Sequence, residues 1–455
     1  MRTRLTQSNA DIIAAIATAQ GRGGIGVVRI SGSNIEELIR GILGKPLIPR
    51  HATCSDFFDE KGDILDRGIA LFFSSPHSYT GEDVLELQGH GGTAVLQLLL
   101  RRCLDLGARL AQPGEFTRRA FLNEKLDLAQ AESVADLIEA NSAEAVRGAI
   151  RSLCGEFSDA IHALTDELIQ LRMLVEAMLD FPEEEVNPVD LEERHALLTR
   201  VQAHLSQTLE AATQGSLLRE GPHVVIAGQP NVGKSSLLNL LSGEEVALVS
   251  NIPGTTRDVI RQGIQIKGVP LHIIDTAGLR ESEDAVEIMG IERAHQTLHR
   301  ADLILLLLDA TKGLTVEDEL ILSRLPEGIP RLLILNKTDL VEGNNASHDG
   351  TPFVSLPAIK VSAKTGAGID RLRSELLEAV GWRDHEGGAF IARERHLLSL
   401  RQAQTHLTQA QQVVARAELF AEELRMAQLA LNEITGEFSS DDLLGEIFSR
   451  FCIGK

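Results

Sequence analysis

Apolar positions repeat with two different periods along this chain. Over residues 1–123 they form short runs between polar turns, a pattern typical of strands in a mixed α/β domain. The segment 93–106 instead has apolar residues at helical spacing, and Gly107 after it is a usual helix stop. The predicted strands of this region cover residues 11–18, 25–30, 68–73 and 84–87.

Helical periodicity begins at residue 126 and returns near the end of the chain. One predicted helix covers about 190–214, and a later helical stretch covers about 391–434. Because an isolated helix would leave its apolar seam in water, we expect the later stretch to pack on the helices before residue 215. An independent C-terminal hairpin, or a coiled coil between two chains, is the alternative. The seams run through Leu128, Ala131, Ala135 and Ile138, then Ile161, Leu164, Leu168, Leu171, Val175 and Met178, and finally Ala403, Leu407, Ala410, Val414, Ala417, Ala421 and Leu424.

A glycine-rich stretch, Gly228–Ser235, lies near the middle of the chain. It follows the apolar run 223–227 and precedes the apolar-periodic segment 236–241. The order strand, glycine loop, helix is the context in which G-x-x-x-x-G-K-S forms a phosphate-binding loop. In such a loop backbone N–H groups surround the β-phosphate, Lys234 adds positive charge, and the Ser235 hydroxyl can ligate Mg²⁺.

Four shorter motifs follow in the order that is typical of GTPases. Asn336–Asp339 comes after a buried-looking run, and an Asp carboxylate in that pattern accepts hydrogen bonds from guanine but not from adenine. Ser362–Lys364 is typical of the loop that closes over the base. Asp275–Gly278 and Thr255–Asp258 are typical of the metal-side motif and of the first switch. Each motif is short, but all five in order, each at a strand end, predict a GTPase domain.

These segments together predict an α/β plus all-α fold. We expect an N-terminal α/β domain over 1–123, a helical bundle domain over 124–215 and 385–455, and a Ras-like P-loop GTPase domain over 216–384 inserted into it. The inserted domain should have a mostly parallel sheet with helices on both faces. The linker into it is expected at Gly215–Gly221.

Composition argues against several other classes of protein. The net charge of −21 disfavours a large nonspecific nucleic-acid surface, and an aromatic content of 4% disfavours a base-stacking platform. No apolar run approaches a membrane span, so no membrane partner is expected. The four cysteines lack C-x-x-C pairing, which favours a reducing cytoplasm over a zinc site or a disulfide framework.

One glycine motif in the first domain is misleading. Gly21–Gly26 matches the G-x-G-x-x-G fingerprint of dinucleotide-binding proteins. The residues that follow it, 27–30, have the pattern of a strand rather than of the helix that the fingerprint requires. We therefore expect a tight turn there, or a loop that faces another ligand.

The catalytic group of the GTPase domain differs from that of Ras-like proteins. Directly after the D-x-x-G motif, where those proteins have a water-orienting Gln, this chain has Leu279, which can neither donate nor accept a hydrogen bond. Arg280 as a finger and Glu287 as a water-orienting carboxylate are candidates. Arg280 is equally compatible with a solvated charge beside a switch, and an acidic run such as the one that contains Glu287 is more often a solvated face.

Longer motifs resemble the tRNA modification GTPase family called MnmE or TrmE, over essentially the full chain. They comprise Gly21–Gly26 with Arg29, Tyr79–Glu86 with Gly89–Gly92, Pro113–Asn123, Lys125–Leu128 and the terminal Phe451–Lys455. The chain departs from the family at Ala19 and Gln20, where prolines are usual. That departure alters a turn and no functional residue.

The resemblance implies an N-terminal domain that binds a tetrahydrofolate derivative, 5,10-methylene- or 5-formyl-tetrahydrofolate, and that forms a homodimer. It also implies tRNA as substrate and the FAD-dependent protein MnmG as partner, in a heterotetramer or larger complex. Together the two proteins would add an aminomethyl or carboxymethylaminomethyl group to C5 of the wobble uridine, with the folate supplying the one-carbon unit. Hydrolysis of GTP would depend on K⁺ and on pairing of two GTPase domains.

The resemblance also assigns residues to each ligand. By this resemblance the folate contacts are Arg29, Glu86, Lys125 and Lys455. The K⁺ ligands are Asn231, Ser250, Ile252 and Thr255, and the Mg²⁺ ligands are Ser235 and Thr256. Glu287 is the residue that positions water. The GTP-binding set comprises Asn231, Val232, Gly233, Lys234, Ser235, Ser236, Ser250, Asn251, Ile252, Pro253, Gly254, Thr255, Thr256, Asp275, Thr276, Ala277, Gly278, Asn336, Lys337, Asp339, Ser362, Ala363 and Lys364.

The terminal Cys452 has two interpretations. A thiolate there is a candidate nucleophile toward C6 of uracil. The other interpretation is a small apolar residue buried next to Phe451. A different function, an RNA-binding ribosome-assembly switch of the Era or Der kind, would share the GTPase motifs but would lack both the first domain and the Cys452–Lys455 terminus.

Overall fold

The computed structural model divides the chain into two compact units. It describes residues 11–19, 21–180, 188–242, 261–275, 301–326, 328–341, 358–383, 389–437, 441–452 and 454. The first unit comprises Met1–Ala135, Ile161–Thr165 and Gln428–Lys455, and the second comprises Asp136–Ala160 and Asp166–Ala427. Among the described helices, none is both long and apolar enough to cross a membrane.

A six-stranded sheet forms the centre of the first unit. Its order is β3-β4-β5-β2-β1-β6, and neighbouring strands are antiparallel except β1 and β6. The residues after Gly21 continue as β2, so the strand predicted there is confirmed, whereas the dinucleotide fingerprint would be followed by a helix. The strands are β1 (Ile13–Ile16), β2 (Gly23–Gly32), β3 (Thr53–Phe58), β4 (Ile64–Phe73), β5 (Asp83–Gly91) and β6 (Arg109–Leu110).

The two faces of this sheet have different roles. Helices α1 (Glu36–Leu43) and α2 (Thr93–Asp105) cover one face, where Val28, Ile30, Leu85 and Leu87 are buried. Because successive strand residues point to opposite faces, Arg29 and Glu86 lie on the other face. Phe116 of α3 (Glu115–Leu122) packs on that second face against Ile13, Ala15, Ala111 and Tyr79.

A second six-stranded sheet lies in the second unit, with the order β12-β11-β10-β7-β9-β8. All pairs are parallel except β8 and β9. Alternate residues of β10 enter two different cores, so both faces are buried. The elements are β7 (His223–Ala227), α8 (Lys234–Ser242), β8 (Arg261–Ile266), β9 (Val269–Asp275), β10 (Leu303–Asp309), α9 (Val316–Ser323), β11 (Arg331–Asn336), β12 (Ala358–Lys360) and α10 (Ile369–Ala379).

The remaining helices precede and follow this sheet in the sequence. They are α4 (Leu128–Glu139), α5 (Ala143–Leu153), α6 (Glu156–Asp180), α7 (Pro188–Glu220), α11 (Glu394–Val413), α12 (Ala417–Thr435) and α13 (Asp441–Ser449). α11 packs along α7, where the Gln202 side chain donates to the Leu407 carbonyl at 3.0 Å. This is the packing expected for the last helical stretch. The α/β plus all-α fold class is confirmed, whereas the domain boundaries stay predictions.

The predicted linker at Gly215–Gly221 is wrong for every residue except Gly221. Helix α7 continues through Gly215 to Glu220. A glycine lies inside the helix because the backbone of residues 390–392 approaches it closely. A Cβ at Gly215 would lie 1.8 Å from the Phe390 carbonyl oxygen.

The predicted seam over 391–434 is also corrected, because it belongs to two helices. α11 ends at Val413 and α12 begins at Ala417, so the apolar register changes between them. The buried residues at the start of α12 are Phe420, Leu424 and Ala427, whereas Ala417 and Ala421 are only half-buried. Ile138 of the earlier seam is 46% exposed, and the Met178 side chain lies outside the described residues.

Helix α13 was absent from the sequence prediction. α13 packs Leu444, Ile447 and Phe448 against Leu128 and Ala131 within the first unit. This contact joins the end of the chain to the start of α4, and it places the C-terminal residues close to the first sheet.

Candidate functional site

The phosphate-loop sequence connects β7 to α8 at the carboxyl edge of the second sheet. Gly228 has φ +152°, and a Cβ there would lie 2.4 Å from the Leu307 carbonyl oxygen, so only glycine fits. Lys234 is buried at the start of α8, and its ammonium donates to the carbonyls of Gly228 and Gln229 at 2.7 and 2.9 Å. Ser235 and Ser236 are exposed in the first helical turn.

Asn336 joins this loop to the loop that follows β12. The side chain is only 2% exposed. Its amide donates to the Val232 carbonyl at 2.8 Å, and its amide oxygen accepts from the Ala363 N–H at 2.9 Å. Gly233 makes room for it, because a Cβ at Gly233 would lie 2.3 Å from the Asn336 amide nitrogen.

Asp339 and Ser362 meet where a guanine base would be read. Asp339 lies in a short 3₁₀ turn, Thr338–Leu340, and is exposed. The fully buried Ser362 donates from its hydroxyl to one Asp339 carboxylate oxygen at 2.6 Å. The other carboxylate oxygen has no hydrogen bond among the described residues, and the arrangement orients the carboxylate before a ligand arrives. Lys364 is exposed in the same loop.

The structure adds Asp309, Lys312 and Thr315, which the motifs did not indicate. An open cavity beside the loop is lined by Asp309, Lys312, Thr315 and Lys337 together with Gln229–Val232. Lys337 has φ +64° and pairs with Asp309 at 2.7 Å. Asp309 is the last residue of β10 and lies opposite Asn336, the last residue of the neighbouring strand β11. The rule that functional residues follow the carboxyl ends of parallel strands would have indicated it from sequence.

Several predicted residues lie outside the described parts of the chain. These are Ser250, Asn251, Ile252, Pro253, Gly254, Thr255, Thr256, Thr276, Ala277, Gly278, Glu287 and Lys455. Of Asp275 only the backbone is described, at the end of β9 and paired with Ile226 of β7. Asn231 is exposed and has φ +60°, a backbone conformation that Asn tolerates.

A second group of predicted residues meets in the first unit, around Arg29. Arg29 and Glu86 face each other across β2 and β5, with nitrogen–oxygen distances of 3.0 and 2.9 Å. The Arg29 guanidinium carbon lies 5.6 Å from the ring centre of Tyr79 and 5.8 Å from that of Phe116. Burial raises the pKa of Tyr79, whose hydroxyl contacts that of Thr117.

The C-terminal tail reaches this group. Arg29 donates to the Gly454 carbonyl at 3.5 Å, and the Gly114 N–H donates to the Cys452 carbonyl at 3.4 Å. Gly114 has φ +65°, and a Cβ there would lie 2.7 Å from the Phe448 carbonyl oxygen. A Cβ at Gly454 would lie 2.5 Å from the Ile16 carbonyl oxygen. Glycine at both positions therefore lets the tail lie on the first sheet.

Cys452 and Lys125 have different surroundings. The Cys452 side chain is exposed, so the interpretation of this residue as a buried apolar neighbour of Phe451 is wrong. Lys125 is exposed and donates to the Pro76 carbonyl at 3.2 Å. Its stem also lies against Gly81, in the loop that carries Tyr79.

A buried ion network lies beside the Arg29 group. Arg119, 2% exposed, donates to Glu82 at 2.9 Å and to Asp11 at 3.0 Å. Glu115 accepts from Arg109 and from the Gln112 N–H. Burial would raise the pKa of Glu115, but these hydrogen bonds outweigh it and lower the pKa. The network fixes α3, and with it Phe116, against the sheet.

Comparisons with known proteins find relatives that match nearly the whole chain. The model of the MnmE helical domain matches residues 128–452, and the model of the GTP-binding protein TrmE N-terminus matches residues 12–125. The tRNA modification GTPase MnmE of Nitrosospira multiformis is 59% identical over 98% of this chain and 100% of its own length. The protein of the same name from Nitrosomonas europaea is 59% identical over 98% of this chain and 99% of its own length. A crystal structure of Aquifex aeolicus Era is 29% identical, covers 40% of this chain and 66% of its own, and has a TM-score of 0.30. The chain belongs to the tRNA modification GTPase MnmE family.

Proposed function

We propose that this protein uses GTP hydrolysis to support modification of the wobble uridine of certain tRNAs, together with the FAD-dependent partner MnmG. GTP hydrolysis and a role in tRNA modification follow from the family. The modification itself would add an aminomethyl or carboxymethylaminomethyl group at C5. The protein would act as a homodimer within a complex of both proteins.

The observation that carries this proposal is the position of the C-terminal tail beside Arg29. The Gly454 carbonyl contacts Arg29, and two residues of chain span at most about 7 Å. The exposed Cys452 is therefore within reach of any ligand held by Arg29 and Glu86. A thiol so placed suits attack on an electron-poor ring carbon such as C6 of uracil.

The residues around Arg29 fit a tetrahydrofolate derivative. The Glu86 carboxylate can accept from the donor-rich edge of a pterin, and the Arg29 guanidinium can donate to its carbonyl or to a glutamate carboxylate. Tyr79 and Phe116 supply aromatic surface on the same face. Lys125 and Lys455 would add positive charge for the glutamate tail. A bound folate would supply the one-carbon unit of the modification.

The phosphate loop fits GTP with Mg²⁺ and K⁺. The exposed Ser235 hydroxyl, with Thr256, would ligate Mg²⁺. The exposed Asn231 carbonyl, with Ser250, Ile252 and Thr255, would ligate K⁺. Bound cations would offset the charge that develops between the β- and γ-phosphates. Ser362 holds the Asp339 carboxylate, which would read the base, and Glu287 would orient the attacking water.

An Era- or Der-like switch is the weaker alternative. Such a protein would lack the first domain, whereas the family models match residues 12–125 as well as 128–452. A chemical change in tRNA is expected of a modification enzyme and not of an Era- or Der-like switch.

Nucleoside analysis of tRNA from cells that lack this protein tests the proposal. Loss of the modified wobble uridine, restored by the full chain, would support it. A chain that ends at Phe451 should fail to restore the nucleoside while it still hydrolyses GTP, because the tail residues would be missing from the proposed folate site around Arg29. Normal modification in cells with the shortened chain would contradict the assignment of the tail.

A further inference from the structure

An ion pair between Asp309 and Lys337 spans the ends of two neighbouring strands at the nucleotide cavity. Asp309 ends β10, and Lys337 follows the last residue of β11. The ammonium nitrogen lies 2.7 Å from the Asp309 Oδ2 atom. Both side chains line the cavity beside the phosphate loop.

The carboxylate of Asp309 is the fixed partner of this pair. Its Oδ1 atom accepts from the Thr311 N–H at 3.0 Å and from the Thr311 hydroxyl at 2.6 Å. The Asp309 side chain is 12% exposed, whereas that of Lys337 is 32% exposed. Burial tends to raise the pKa of Asp309, but the hydrogen bonds from Lys337 and Thr311 bring it down to about 2. The Asp309 carboxylate is therefore charged and held in place, and it determines the position of the Lys337 ammonium.

This constraint determines the course of the lysine stem. The left-handed backbone at Lys337 fixes the start of the side chain, and Asp309 fixes its end. The methylene groups between these two points give an apolar strip along the cavity wall. A purine ring has an apolar face that can lie on such a strip. Asp339, two residues further on, reads the edge of the base instead.

We infer that Asp309 is a positioning residue for nucleotide binding, which acts by holding Lys337 as a wall against the face of the base. The inference rests on guanine nucleotide binding at this cavity. The two contacts then have different roles. Asp339 selects guanine by hydrogen bonds to the edge of the base, whereas Lys337, held by Asp309, contacts the face of a purine whether or not it is guanine.

The competing explanation is that Asp309 only stabilises its own turn. The Asp309 backbone carbonyl accepts from the N–H groups of Lys312 and Gly313, and its side chain accepts from Thr311. Asp309→Asn separates the two explanations. The amide keeps an oxygen acceptor for Thr311, but it removes the negative charge that holds the lysine.

A double-mutant cycle on the full chain tests the inference. Affinities for GDP and for IDP, which lacks the 2-amino group of guanine, are measured by calorimetry with Mg²⁺ for wild type, Asp309→Asn, Lys337→Met and the double variant. Asp309→Asn should weaken the binding of GDP about tenfold, which corresponds to about 1.4 kcal/mol. The binding of IDP should weaken by the same factor, because IDP and GDP present the same face of the base to Lys337. In the Lys337→Met background the second substitution should add nothing.

Asp370→Asn is the matched control, since this carboxylate is 98% exposed and pairs with Arg373 in α10 rather than in the cavity. It should leave both affinities unchanged. The inference is overturned by a tenfold loss that persists in the Lys337→Met background, or by no loss in the wild-type background. It is also overturned by a loss of thermal stability in Asp309→Asn without a loss of affinity. If the wild-type chain bound neither nucleotide, the assignment of the cavity itself would fail, which is a different result.

Discussion

The side-chain amide of Asn336 donates to the Val232 carbonyl, 2.8 Å away, and this bond joins the end of β11 to the glycine-rich loop after β7. The two segments are over a hundred residues apart in sequence. They come together because β7 and β11 both flank β10 and run parallel, so their carboxyl ends share one edge of the sheet. One buried amide thus holds the two halves of the nucleotide cavity in a fixed relation.

Gly233→Ala should disrupt this relation. A Cβ there would lie 2.3 Å from the Asn336 amide nitrogen, and the φ of +103° is unfavourable for alanine. We expect at least tenfold weaker GDP binding, or about 1.4 kcal/mol, measured by calorimetry. Gly328→Ala is the control, because it has φ +89° but no atom within 4 Å of the added Cβ. Equal effects of the two substitutions would show that backbone strain, and not the Asn336 contact, is responsible.

The sequence was informative wherever chemistry required a fixed spacing. The strand–glycine–helix pattern at Gly228–Ser235 predicted β7, the loop and α8 in the right order, because backbone donors and one lysine can surround a phosphate in few ways. Asp309 was not found, since a single carboxylate after a strand has no distinctive spacing. Gly215 was read as a linker, since its helical environment depends on the distant Phe390 carbonyl. Helix α13 was missed because its apolar face is explained only by its contact with Leu128.

Gly454→Ala should detach the tail from the Arg29 group. The left-handed φ of +102° and the 2.5 Å approach to the Ile16 carbonyl oxygen both disfavour alanine. We expect the affinity for 5-formyl-tetrahydrofolate, measured by fluorescence titration or calorimetry, to fall on the order of tenfold. Gly62→Ala shares a positive φ of +86° but has nothing within 4 Å, so it should bind folate normally. Unaltered folate binding in Gly454→Ala would argue that the tail is not part of that site.

The ion network of the first unit should make its stability depend on acid pH. Hydrogen bonds lower the pKa of Glu115 below its usual 4.5, against the effect of burial. A carboxyl with a lowered folded pKa stabilises the fold above its unfolded pKa, and this stabilisation is lost as pH falls through the folded value. The free energy of unfolding should therefore fall below about pH 4.5, and Glu115→Gln should reduce that slope.

Two natural probes allow this slope to be measured for each unit. Tyr79 is the single tyrosine and lies in the first unit, and Trp382 is the single tryptophan and lies in the second. Near-ultraviolet signals of tyrosine and tryptophan during urea unfolding would follow them separately. Glu115→Gln should alter the tyrosine transition and leave the tryptophan transition unchanged. A change confined to tryptophan would be inconsistent with the network.

Potassium should be required for rapid hydrolysis, because Leu279 cannot orient water and a cation can offset phosphate charge. Replacing K⁺ by Na⁺, or Asn231 by Ala, should slow GTP turnover by on the order of 10²–10³ with little loss of GTP affinity. Glu287→Ala should keep K⁺-dependent pairing of GTPase domains, seen by light scattering, yet hydrolyse poorly. Equal turnover in the two salts would refute the K⁺ requirement.

Backbone approaches helix α7 closely at Gly215, and this approach should determine the sign of the effect of a glycine-to-alanine substitution there. In an unobstructed helix this change stabilises by up to about 1 kcal/mol. At Gly215 the new Cβ would lie 1.8 Å from the Phe390 carbonyl oxygen and 2.8 Å from its carbon. Backbone cannot rotate away as a side chain can, so overpacking should cost about 1–3 kcal/mol and exceed the gain.

Gly445→Ala provides the opposite case in α13. That glycine is also helical, but no atom lies within 4 Å of its added Cβ, so alanine should stabilise the helix. Urea unfolding, followed by Trp382 for Gly215→Ala and by Tyr79 for Gly445→Ala, should give changes of opposite sign. The Gly215 variant should also expose the segment 389–392 to proteolysis, because its Phe390 carbonyl would be displaced from α7. A stabilised Gly215→Ala protein would mean that this segment can move aside freely, and that glycine is not needed where α7 meets it.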